Sequence, residues 1–131
     1  MKLLIILLFS YSNYSFSSQI AGTGLTCYSQ EDSNWNKYSG YFFKEKNIVR
    51  YYSLRKKNGH IKNQHISDLK YSLSSNFIKI DNKYTFFKIN RKTLELVSKT
   101  NAKCKKHNSL LEVLKQMLMH AKEEQNKYFS N

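Results

Sequence analysis

The chain has 131 residues, 40% of them hydrophobic, with 22 Lys and Arg against 9 Asp and Glu for a formal charge of +13, and it contains no proline. That length excludes a second domain and leaves room for one modest core. The charge implies attraction to polyanions, but no recognition helix and no basic strand with stacking aromatics marks a specific nucleic-acid reader.

Met1-Lys2 followed by the apolar run Leu3 to Phe9, with small residues at Ser15 and Ser17, reads as a signal peptide over residues 1–17. The run is far below the roughly 20 residues that cross a bilayer. Gly24-Leu25-Thr26 ahead of Cys27 lacks the pattern of a lipoprotein site. Cleavage removes Lys2 and lowers the charge by one, leaving residues 18–131 as a single domain, exported to the periplasm or secreted. Arg50, Arg55 and Arg91 are the only arginines among lysine, asparagine, isoleucine and tyrosine in excess. AT-rich codons favour that composition, so drift alone is one account of the charge. The polyanions outside the cytoplasm are phospholipid head groups, lipopolysaccharide or wall polymers, and stray nucleic acid.

Leu25 to Tyr28 reads as the first strand, and Trp35 sits in the polar loop Gln30 to Ser39, either as a core plug or as a ligand contact. Gly40 to Lys44 and Ile48 to Leu54 read as a hairpin about Glu45-Lys46-Asn47. Asn58-Gly59 favours the positive φ of a tight hairpin turn, so the Lys56-Lys57 tip projects into solvent. His60 to Ile66 and Lys70 to Leu73 follow as two weak strands. Phe77 to Ile80 and Tyr84 to Ile89 then form a meander, whose Thr85, Phe87 and Ile89 share the core face by the period of two.

Two cysteines in an exported chain, Cys27 and Cys104, read as one disulfide. Neither has ligand spacing for a metal site apart from His107, three residues after Cys104, and no further ligand matches it. Ser109-Leu-Leu-Glu112 is a capping box opening a helix over 109–125. Its apolar stripe is Leu110, Leu111, Leu114, Met117, Leu118 and Ala121, which packs on the sheet or, as the alternative, on a membrane.

The phrase Lys88 to Leu96, KINRKTLEL, resembles a strand-turn-strand phrase of uncharacterised small exported proteins of AT-rich proteobacteria, which often carry a cysteine near each end. The resemblance covers about twenty residues. It implies a β hairpin and an exported context and names no activity. From the residues themselves, Asn90 to Thr93 make a type I-like reversal that returns Leu94 and Leu96 to the core face.

The fold expected is mainly β: an antiparallel sheet of six or seven strands, curled into a partial barrel or sandwich, closed by Cys27 and Cys104 and covered by the C-terminal helix. No G-x-S-x-G, H-E-x-x-H or phosphate-cradling loop occurs. No catalytic residue, metal or cofactor is therefore expected. The leading function is a non-catalytic binding or envelope-associated module for anionic partners, with Arg50, Arg55, Lys56, Lys57 and Lys62 as anion-binding candidates. Trp35, Tyr41, Tyr51, His60 and His65 are the ligand-facing candidates, with His60 and His65 on opposite sides of their strand. The alternatives are a small periplasmic hydrolase whose site is assembled from distant strands and a purely structural envelope component.

Overall fold

The computed structural model describes residues 20–29, 38–81, 86–97 and 102–129. The expected signal peptide, Trp35 and Thr85 lie outside the described residues. Among these, seven antiparallel strands form one curled sheet: β1 (Gly24–Ser29), β2 (Tyr38–Lys44), β3 (Ile48–Lys57), β4 (His60–Leu73), β5 (Phe77–Asp81), β6 (Phe86–Asn90) and β7 (Ala102–His107). Helix α1 (Leu110–Phe129) follows. Strands β1 to β6 lie side by side in chain order, and β7 returns to the free side of β1. The segment 94–97 spans the gap between the two outer strands. Leu96 bridges to Ile89 on β6 and Glu95 to Lys103 on β7, while Val97 N donates to Lys88 O and Cys104 N to Leu94 O. One face of the sheet therefore becomes an inside.

The turns form where the local chemistry demands them. Asn58 and Gly59 take φ of 53° and 79° in a two-residue loop closed by Lys57 and His60, the left-handed pair that matches strand twist. Asn90 Oδ1 accepts from the amides of Lys92 at 2.9 Å and Thr93 at 3.1 Å, an Asx turn that sends Leu94 and Leu96 to the inner core.

Several boundaries differ from the sequence reading: β2 begins at Tyr38 rather than Gly40, α1 runs on to Phe129, and three further differences reshape the sheet. Strand β3 runs past Leu54 to Lys57. The two weak strands are one fourteen-residue strand, because the register passes from Tyr51↔Ser67 to Tyr52↔His65 and leaves Ile66 as an unopposed bulge. A bulge shifts the alternation by one and hides the continuity. Strand β7, assigned to no element from sequence, carries Cys104 opposite Cys27, and the two are bonded.

Both faces of the sheet bury apolar side chains. The inner face holds Leu25, Cys27, Tyr41, Phe43, Val49, Tyr71, Ile78, Ile80 and Ile89, with Phe87 packed against them. Phe87 and Ile89 thus share the core face expected of them. The outer face gives Tyr38, Tyr52 and Leu54, on which α1 lays Val113, Met117 and Ala121. Here the helical stripe is rotated from its expected line: Val113 is fully buried, whereas Leu111 is 61% exposed. Gly24 and Gly40 explain how closely the helix lies. A Cβ on either would overlap Val113 Cγ2 or Met117 Sδ, so these two glycines leave the smooth floor that admits the helix. At its start, Glu112 N donates to Ser109 Oγ at 3.2 Å, and Glu112 Oε2 accepts from Asn108 N at 2.8 Å rather than from the serine amide.

Candidate functional site

Strand β2 pairs with β3 from Lys44↔Ile48 only as far as Ser39↔Ser53, and β5 pairs with β4 only from Leu73↔Ile78 to Lys70↔Asp81. Beyond those limits β3 and β4 continue together as a two-stranded arm ending at Asn58-Gly59. Alternation sorts its side chains. One face carries Leu54 and Ile61 onto α1, where Asn63 Nδ2 also donates to Leu114 O at 3.1 Å. The helix thus buttresses the arm from one side.

The opposite face is basic. Arg55 lies directly across from Lys62 and Lys57 from His60, so a like-charged pair and a lysine–histidine pair stack on one surface, with Ser53 and Gln64 behind them. All four basic side chains are exposed, and no carboxylate among the described residues pairs with them. Like charges directly opposite in a sheet are destabilising. Continuing inward on this face, Tyr51 lies beside Arg55: burial raises its phenol pKa, and the Arg55 charge and a hydrogen bond from Ser53 pull it down.

The sequence candidates divide accordingly. Of the five anion-binding candidates, Arg55, Lys57 and Lys62 share the basic face. Lys56 points to the helix side of the tip by alternation. Arg50 stands on that side too, 3.8 Å from the Asp68 carboxylate that also receives His65 Nε2 at 2.9 Å. Of the ligand-facing candidates, His60 joins the basic face, and His65 lies on the opposite face against Tyr52. Tyr41, 5% exposed, stacks on Tyr51 at 5.3 Å inside the sheet. Burial, then the neighbouring Tyr51, pushes the Tyr41 phenol pKa far above its usual range against the Ser39 hydrogen bond, so Tyr41 stays neutral and structural. Trp35 belongs to the undescribed stretch joining β1 to β2.

A hydroxyl–imidazole pair escaped the sequence reading. Thr26 Oγ1 lies 2.8 Å from His107 Nε2, and both residues are buried, His107 at 6% exposure. Burial first, then Lys105, lowers the His107 pKa against the opposing pull of Glu112. The pair resembles a nucleophile and its base in spacing, but it is sealed between β1, β7 and the start of α1, where it satisfies two buried polar groups. Only recognition of β7 as a strand next to β1 would have found it. Among the described residues no group of three or more His, Cys, Asp or Glu side chains could hold a metal ion.

No protein-family model, curated protein or solved structure matches the chain.

Proposed function

We propose that the domain is a non-catalytic, exported binding module whose β3–β4 arm engages anionic partners through Arg55, Lys57, His60 and Lys62. The observation that carries this reading is the pair of directly opposed like charges on one face of a helix-supported arm. Such a face costs stability in the free protein, and an anion laid across it removes the repulsion. The Cys27–Cys104 bond is compatible with an oxidising, exported location.

The test is a binding titration against inorganic polyphosphate over a series of salt concentrations, comparing two variants that each remove three charges. Replacing Arg55, Lys57 and Lys62 by Gln should weaken binding about tenfold or more beyond the loss in the Lys79, Lys83 and Lys88 variant. It should also flatten the salt dependence by roughly one unit of slope for each phosphate left without its cation. Equal losses in the two variants would show that net charge alone attracts the polyanion, and the arm would lose its assignment.

A further inference from the structure

The arm has an open side as well as a basic face. Among the described residues, His60 to Leu69 of β4 pair only with β3, because pairing with β5 begins at Lys70. In a two-residue hairpin the closing pair, Lys57 and His60, exchanges both backbone hydrogen bonds, and the pattern alternates from there. His60, Lys62 and Gln64 therefore turn their backbone groups toward β3, while Ile61, Asn63 and His65 turn theirs outward. Those three residues present unpaired N–H and C=O groups in the arrangement that another strand completes.

Register then fixes what such a strand must look like. Its residues opposite Ile61, Asn63 and His65 would exchange hydrogen bonds with the edge and place their side chains on the helix side. Its residues opposite His60, Lys62 and Gln64 would form the closer, non-hydrogen-bonded pairs on the basic face, within diagonal reach of Arg55 and Lys57. On the helix side, Asn63 Oδ1 is buried and has no hydrogen-bond partner among the described residues; a hydroxyl on the incoming strand opposite Asn63 would supply one. A second copy of this chain is the wrong occupant, because pairing two such edges would bring two sets of His60, Lys62 and Arg55 together.

We infer that the β4 edge from Ile61 to His65 takes up an extended acidic peptide as an added strand, with acidic residues alternating so that they lie over His60, Lys62 and their cross-strand partners Arg55 and Lys57. This rests on the anion-binding reading of the arm and names its partner class. The single observation beneath it is that the same six residues of β4 carry the backbone edge left unpaired among the described residues and, through His60 and Lys62, the outer half of the basic face.

The experiment uses the full mature chain and an eight-residue peptide of alternating Thr and Glu, blocked at both ends, with binding followed by calorimetry at low salt. Two further peptides carry N-methyl groups on the Thr residues or on the Glu residues, with charge unchanged. The parent and the Glu-methylated peptide should bind, and the Thr-methylated peptide should bind at least tenfold more weakly, because only its missing N–H groups face β4. Equal binding of all three would overturn strand addition while leaving the anion-binding reading intact. Failure of all three while polyphosphate still binds would do the same. Failure of polyphosphate as well would remove both. A stable dimer of the free chain that peptide fails to displace would also overturn the inference, since the edge would then belong to a second copy.

Discussion

The arm and the β5–β6 hairpin contain the same local feature and treat it oppositely. In each, two basic side chains stand directly across from one another: Arg55 and Lys62 in the arm, Lys79 and Lys88 in the hairpin. In the hairpin both have partners, since Lys79 Nζ lies 3.8 Å from Asp81 Oδ1 and Lys88 Nζ sits 5.6 Å from the centre of the Phe77 ring. In the arm no described carboxylate pairs with Arg55 or Lys62, and Lys57 adds a further lysine across from His60 at its tip. Codon drift supplies lysines to both regions alike and accounts for neither the partners of one nor the unneutralised pair of the other. Charge count and charge placement are therefore separate properties, and only placement marks the arm.

Opening the disulfide should have the greatest consequence, and it asks whether closure of the sheet supports both regions equally. Removing the Cys27–Cys104 bond, which closes a separation of 77 residues, should destabilise the domain by about 4 kcal/mol, and denaturant unfolding should show the arm and the hairpin melting together. A shift below about 1 kcal/mol would mean that the β1–β7 backbone pairing already holds those two strands together. Next in size is the buttress. Met117 is fully buried between α1 and the outer face, so Met117→Ala should cost about 2–5 kcal/mol. Amide exchange should accelerate in 54–63 before it does in 77–90, and the reverse order would show that the helix does not single out the arm.

A smaller effect of opposite sign separates the two charged pairs directly. Lys62→Gln should raise stability by about 0.2–1 kcal/mol by relieving the pair with Arg55, whereas Lys79→Gln, which also forfeits Asp81, should give no gain. Equal gains in thermal unfolding would erase the contrast. The weakest response is to pH. The folded protein holds the His107 pKa below its ordinary value of 6.5, mainly by burial and by Lys105, so the unfolded chain binds the proton more readily. Its contribution to stability is therefore complete above that value and is lost as pH falls through the window beneath it. Lys105, Glu112 and His120 are the titrating and charged neighbours that set this window, and His107→Gln should flatten the dependence there.

Much of this fold was legible from local chemistry. Asn58-Gly59, the Asn90 turn and the Ser109–Glu112 cap each carry their instructions within four residues, and the two cysteines of the chain form the one bond expected of them. What was not legible depends on neighbours distant in sequence. Strand β7, AKCKKH, has too few apolar residues to announce itself and becomes a strand because β1 lies beside it. The continuity of β4 was concealed by the bulge at Ile66, and the helix presents Val113 instead of Leu111 because Gly24 and Gly40 lie beneath that line. The candidate site was half visible. The cluster of basic residues around one hairpin could be read directly, but register was needed to separate Arg55, Lys57 and Lys62 from Arg50 and Lys56 and to add His60.

Placement and net charge part company most plainly in a backbone amide chemical-shift map of the protein, titrated with inorganic polyphosphate at moderate salt. Recognition by the arm predicts saturable shifts concentrated in Ser53 to Gln64, with little change over Phe77 to Asn90 despite Lys79 and Lys88. Shifts spread over both hairpins in proportion to their lysines would overturn it.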